Sequence, residues 1–224
     1  MLVYPAVLDE VSTLERVLAG ASLARYGDGE FKLCRGGSIK SQTGDPVLRA
    51  RLSQILQDSG DCLVGIPNLH SETPKAEYWK GFHHAASLLV DRAYVSSFVT
   101  RPDSAPWINT PEYWARLESL WIGQDVTLVR GSTKSLIADD LVGARTVTEV
   151  IAPRQHAWAD YETLLERIGR PARAILCLGP TATVMAVDLC AIGVHAIDLG
   201  HVGLFLRKHR TGRPMWVSKE EKIA

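Results

Sequence analysis

Short apolar runs alternate with helical segments along most of the 224-residue chain, and this limits the fold more than any other feature. The spacing predicts strands over 22–26, 62–66, 94–100, 125–130, 146–151, 174–178 and 195–199. Helices are expected between them. The first covers 8–18, with Ser12 and Glu15 in capping-box register and Gly20 as its stop. Others start at Asp45-Pro46 (47–56), at Thr73-Pro74 (to about residue 90) and at Thr110-Pro111 (through 120), each with proline at the first helical position. Two more span 161–168, ended by Gly169 and Pro171, and 181–191. Near-continuous apolar strands in such an alternation imply an α/β fold, a Rossmann-like, mostly parallel sheet with helices on both faces.

This length suits one α/β domain with a sizeable core. No repeat or composition break divides it, so a single domain is expected over 1–206, followed by a basic C-terminal tail over 207–224. The 25 basic and 25 acidic residues balance, which argues against attachment to nucleic acid through bulk charge. The four cysteines (Cys34, Cys62, Cys177, Cys190) form no CxxC pair, and Cys62 and Cys177 lie in apolar runs. A reduced, cytoplasmic protein is expected rather than a disulfide scaffold. No signal peptide is evident, and no apolar run approaches the ~18 residues of a transmembrane segment.

In open parallel sheets ligands sit beyond the carboxyl ends of the strands, so the loops there carry the chemistry. After the first strand, Gly27 breaks the apolar run and Asp28 and Glu30 follow, separated by Gly29. Two carboxylates at i and i+2 on a glycine-rich turn can reach one point, and their repulsion calls for a cation. Hard oxygen ligands suit Mg²⁺ or Mn²⁺, which usually share their shell with phosphates. A plain solvated turn uses the same residue types. A second loop, 130–135, combines Arg130 and Lys134 with Gly131, Ser132, Thr133 and Ser135, which suits phosphate or a sugar, though an ordinary polar loop reads alike. A third, 178–184, places Gly179 and Pro180 at a helix start, with Thr181 and Thr183 adding hydroxyls to an anion site; a plain capped helix is the alternative. It is neither a Walker motif nor a dinucleotide fingerprint. A fourth element, 198–203, sets His201 in a glycine-flanked turn, where a ring nitrogen could face a metal or phosphate. Trp114 and Trp121, seven apart, are expected in the core, while Trp107 and Trp158 near loops are candidates for stacking.

Four segments, RYGDGEF (25–31), LW…DVTLVRG (120–131), IAPRQHAW (151–158) and LGPTATVMAVDLCAIGVHAIDLGH (178–201), together resemble the GT-D-fold glycosyltransferases in order and spacing. The resemblance runs from about residue 14 to residue 201. It implies a nucleoside-diphosphate-sugar donor, with a UDP-sugar favoured, and a DXE motif involved with Mn²⁺ that falls on Asp28-Gly29-Glu30. The family's Gly-His pair falls on Gly200-His201. The resemblance thus implies Asp28 and Glu30 as catalytic residues, with Asp28, Glu30 and His201 at the metal. Arg25, Gly27, Arg130, Gly131, Ser132, Lys134, Gly179, Pro180, Thr181 and Thr183 become the nucleotide-sugar contacts. Where the family continues with acidic residues after Gly-His, this chain reads Val202-Gly203-Leu204-Phe205-Leu206-Arg207-Lys208. The change points to a different acceptor, an anionic glycan, a lipid-linked phosphate or nucleic acid met by Arg207, Lys208, His209, Arg210 and Arg213.

The expected function is metal-dependent glycosyl transfer. A metal-dependent phosphohydrolase or nucleotidyl enzyme, and a non-catalytic nucleotide-sugar binding module, are the alternatives. The sugar, the catalytic base and the oligomeric state, homo-oligomer included, are left open.

Overall fold

The apolar runs become strands because each buries side chains alternately on two sides. In β2 (Leu23–Arg25), Ala24 packs toward one core and Leu23 toward the other. The same alternation places Ala174 and Leu176 against Ile175 and Cys177 in β7 (Arg173–Cys177). The structure, a computed structural model, describes residues 4–69, 83–132 and 134–213.

The remaining strands are β1 (Val7–Leu8), β3 (Leu63–Ile66), β4 (Tyr94–Ser96), β5 (Asp125–Arg130), β6 (Thr146–Ile151) and β8 (His195–Asp198). They join β2 and β7 in one eight-stranded sheet, in the order β1-β4-β3-β2-β8-β7-β5-β6. Every pairing in it is parallel. The α/β sheet expected from the alternation is present. Helices α2 (Asp28–Cys34), α3 (Pro46–Gln57), α5 (Tyr161–Ile168) and α6 (Pro180–Ala191) feed one core. Helices α1 (Glu10–Leu18), α4 (Pro111–Glu118) and α7 (Val202–Arg210) feed the other, which holds Trp114 and Trp121 as expected. Asp45 and Thr110 cap α3 and α4 through their side chains, each followed by proline at the first turn.

Several boundaries differ from the sequence expectation. Helix α1 is capped by Asp9, whose carboxylate accepts from the Ser12 amide at 2.8 Å, so Ser12 sits inside the first turn and no Ser12–Glu15 box forms. The two-residue edge strand β1 is too short to leave a periodic signal. β4 stops at Ser96 because the Ser96 hydroxyl accepts from the Phe98 amide at 3.1 Å, and the chain turns into a 3₁₀ helix, Ser97–Thr100. The helix expected from 73 to 90 falls mostly outside the described residues; its described end is a 3₁₀ turn, His83–Leu88. All four cysteine thiols are free. Among the described residues no helix is long and apolar enough to cross a membrane.

The basic tail also needs correction. Val202, Phe205 and Leu206, spaced i, i+3, i+4, bury into the second core and carry α7 across the 206/207 boundary. Arg207 pairs with the buried Asp140 and donates to the Ser135 carbonyl at 3.2 Å. Arg210 pairs with Glu118 at 2.6 Å and donates to the Asp140 carbonyl at 2.9 Å. A methyl group on Gly203 would stand 2.4 Å from the Ser135 carbonyl oxygen, so α7 rests directly on backbone. Residues 207–213 are a docked helix end, not a free arm. Residues beyond 213 lie outside the described set. Removing one partner of this pair strands a carboxylate that is 5% exposed. With Arg207 itself partly in solvent, Arg207→Ala is expected to cost about 1–2 kcal/mol, a fall of roughly 2–8 °C in melting temperature. A melting temperature within about 1 °C of wild type would restore the free-arm reading.

Candidate active site

The two halves of the sheet meet where β2 pairs β8, Leu23 opposite Ile197. The chain runs from β2 outward through β3 and β4 on one side, and from β7 inward to β8 on the other, so the strand order reverses here. A cleft opens at the carboxyl ends of these strands, where open parallel sheets bind ligands. Arg25, Gly27, Asp28, Glu30, Gly179 and His201 line it, with Ser97 and Arg101 from beyond β4. The cleft continues across Gly179 and His201 to Gly131, Ser132 and Arg154.

The acidic segment is a helix start, not an open turn. Gly27 is the N-cap of α2, and Asp28 and Glu30 occupy its first turn. Acidic residues are favoured there by the free N–H groups. The Glu30 carboxylate folds back to accept from the Gly27 amide at 2.8 Å. Burial pushes the Glu30 carboxyl up to about 7, with Asp198 and Asp28 adding to the rise and the Gly27 and Glu30 amides opposing it. Asp28 is exposed at the cleft mouth. The sequence thus identified two carboxylates that share one cleft, but missed the capping bond that one of them makes.

His201 follows Gly200, whose φ of +52° is left-handed and suits glycine. The Gly200 amide donates to Asp198 at 3.0 Å, closing the turn. Desolvation lowers the His201 pKa, helped by the charges of Arg101, Arg25 and Lys134 and opposed by Asp103. The shift favours the neutral form of the ring more than in an ordinary histidine. Gly179, at φ +62°, turns the chain from β7 into α6, with Pro180 at the first helical position.

Other expected contacts are placed differently. Arg130 pairs with Glu149 of the neighbouring strand at 2.6 Å and does not line the cleft. Lys134 is exposed beside it, its amide donating to the Ser132 hydroxyl at 3.2 Å. Thr181 and Thr183 are buried against the sheet, and Thr183 donates to the Arg25 carbonyl at 2.9 Å. The Thr183 bond ties α6 to the end of β2, whereas the buried Thr181 hydroxyl has no hydrogen-bond partner among the described residues. Trp107 donates to Glu10 at 2.9 Å and Trp158 to Asp45 at 3.0 Å; neither lines the cleft. Sequence reasoning gave no role to Ser41, Ser97, Arg101 or Asp198, all of which line it. A charged residue closing an apolar strand was the available signal for Asp198; Arg101 had none.

The donor set can be tested against a divalent cation. Among the described residues no group of three or more His, Cys, Asp or Glu side chains is arranged to hold a metal, so His201 does not complete a preformed set with Asp28 and Glu30. Two carboxylates still fit an ion such as Mg²⁺, which takes its other ligands from phosphate and water. Without a cation, Glu30 makes stability pH-dependent. Its folded pKa lies above the ordinary 4.5, so the unfolded chain ionises first and stability falls as pH rises from about 4.5 to about 7. Glu30→Gln is expected to remove that loss. Its melting temperature should match wild type near pH 4.5 and exceed it at pH 8, by up to about 3 kcal/mol or roughly 6–12 °C. Parallel melting curves for the two proteins across this range would show that Glu30 is not the titrating group.

With this geometry in hand, similarity to known proteins takes on meaning. The sequence profile described as Glycosyltransferase GT-D fold matches residues 23–215. A probable glycosyl transferase, Gly, of Streptococcus gordonii is 37% identical over 202 residues, 82% of this chain and 30% of its own length. Glycosyltransferase GlyD of Streptococcus pneumoniae serotype 4 is 30% identical over 210 residues, 85% of this chain and 26% of its own length. The chain therefore spans less than a third of these curated relatives. A solved domain of unknown function 1792, described as having a distinct glycosyltransferase fold, superposes with a TM-score of 0.83 at 30% identity, covering 93% of this chain and 82% of that one. A glycosyltransferase of the same domain type from Streptococcus sanguinis gives a TM-score of 0.83 at 28% identity, covering 96% and 88%. Both the sequence match across the cleft-forming loops and the shared sheet lead to one assignment: the chain belongs to the glycosyltransferase GT-D fold family.

Proposed function

We propose that the cleft transfers a sugar from a nucleoside-diphosphate sugar, a UDP-sugar first among the candidates, to an acceptor, with Mg²⁺ or Mn²⁺ as cofactor. The observation that carries this reading is the meeting of Asp28, Glu30, the Gly179–Pro180 helix start and His201 in one cleft at the β2/β8 junction. In this reading Asp28 and Glu30 hold the cation. A bound cation supplies positive charge against the negative charge that builds on the leaving diphosphate. The start of the 12-residue helix α6, at Gly179 and Pro180, lines the same cleft, and its dipole favours a negative group there. Neutral His201 accepts a hydrogen bond from the donor or its bound water, and Ser132 and Arg154 line the far end where the nucleoside extends. Glu30, whose carboxyl is held up to about 7, would have to lose its proton to hold a cation, so cation affinity is expected to rise with pH toward 7. Arg207 and Arg210 are engaged with Asp140 and Glu118 and are not counted toward an anionic acceptor.

Thermal shift tests this directly. UDP and Mn²⁺ added together are expected to raise the melting temperature by more than the sum of their separate effects, because each completes the other's site; a ligand at a hundred times its Kd adds about 2.7 kcal/mol. Asp28→Asn and Glu30→Gln should melt cooperatively, lose that synergy, and release no UDP from a panel of UDP-sugars. Equal Mn²⁺ shifts with and without UDP, or near-normal turnover in both variants, would overturn the assignment.

A further inference from the structure

Arg25 reaches into the cleft from the end of β2, where a guanidinium beside a diphosphate would ordinarily be counted as a phosphate ligand. Its surroundings say otherwise. Nη1 donates to the Ser97 carbonyl at 3.2 Å and to the Thr100 hydroxyl, both in the 3₁₀ turn after β4. Nη2 faces Asp198 at the end of β8, 3.3 Å away, and Asp198 in turn accepts from the Gly200 amide. Nε is shielded from solvent and has no partner among the described residues. The Arg25 side chain is 11% exposed and that of Asp198 5%.

The neighbouring backbone is shaped around this side chain. A methyl group on Gly200 would stand 2.1 Å from Arg25 Nη2, and one on Gly65 would stand 3.4 Å from the Arg25 stem. The Arg25 carbonyl accepts from Thr183, which adds the start of α6 to the same assembly. One residue therefore ties together the carboxyl ends of β2, β4 and β8 and the first turn of α6, the elements that form the cleft wall.

We propose that Arg25 is a positioning residue for glycosyl transfer: it holds the Asp198–Gly200 turn so that His201 faces the cleft, and it does not bind the donor's phosphates. This rests on the donor site proposed above. A planar guanidinium can serve the Ser97–Thr100 turn and Asp198 at once, whereas a lysine ammonium is a point charge that serves one of them. Charge alone therefore does not replace it.

The test uses full-length protein with UDP and Mn²⁺ as the binding probe, UDP release as turnover, and amide exchange as the structural readout. Arg25→Lys is expected to bind UDP with Mn²⁺ within about threefold of wild type while turnover falls at least tenfold, since geometry is lost and charge is kept. Gly200→Ala should reproduce that split with Arg25 intact, and both variants should lose exchange protection at the Gly200 amide while β5 and β7 stay protected. Thr100→Val, which removes one guanidinium partner, gives a milder loss of the same pattern if Arg25→Lys fails to fold. A tenfold or greater loss of UDP affinity in Arg25→Lys, with Gly200→Ala behaving as wild type, would make Arg25 a phosphate ligand and overturn the proposal. Failure of the wild type to bind UDP would instead strike the donor assignment. The Gly200 exchange measurement would still decide the positioning role: protection retained in Arg25→Lys would refute it.

Discussion

Everything in this molecule hangs on the seam between β2 and β8. Residues about three quarters of the chain length apart, Leu23 and Ile197, pair there, and among the described strands it is the contact that joins the two halves of the sheet. The buried Ser22 hydroxyl reinforces it. It donates to the Val194 carbonyl at 3.2 Å and accepts from the Ala196 amide at 2.9 Å, standing in for a backbone rung just before β2 begins. Such a long-range pairing repays its loop-closure entropy late in folding. The loops that leave the seam, one acidic and one carrying Gly200-His201, are brought together by it and by nothing local.

That origin explains the electrostatics of the cleft. Asp28, Glu30 and Asp198 arrive from strand ends that the sheet forces side by side, and each answers the crowding differently. Asp28 stays at the exposed mouth. Asp198 is buried, its carboxyl held up by that burial and partly relieved by Arg25 and the Gly200 amide. Glu30 is opposed in its rise by two backbone amides, yet burial still holds its carboxyl up at about 7. Of the three carboxyls, the one held near its midpoint responds most to a change in the surrounding charge.

Much of this was legible in the chain. The β5, β6 and α5 boundaries follow from apolar runs closed by Gly or Pro, and the Asp45-Pro46 and Thr110-Pro111 starts from cap chemistry. Asp28, Glu30, Gly179 and His201 were found because carboxylates, glycines and a histidine at strand ends are unusual where strands are otherwise apolar. What stayed hidden depended on tertiary partners. Nothing near Arg130 in sequence marks its pairing with Glu149, which needs the β5–β6 register. Thr181 and Thr183 look like ligand hydroxyls until the helix is rotated onto the sheet. The basic run from Arg207 looks like a tail because the apolar stripe that anchors it, Val202, Phe205 and Leu206, lies just upstream of the charges that draw the eye.

The close approach of Gly203 to the Ser135 carbonyl also bears on how this cleft can vary among related chains. The turn that presents His201 and the segment after β5 that presents Ser132 lie on either side of one contact too tight to admit a methyl group. Their lengths are therefore not independent. An insertion after β5 would lift α7 and tilt His201 with it, so variation at this end of the cleft is expected to come from exchanging side chains on a loop of fixed length.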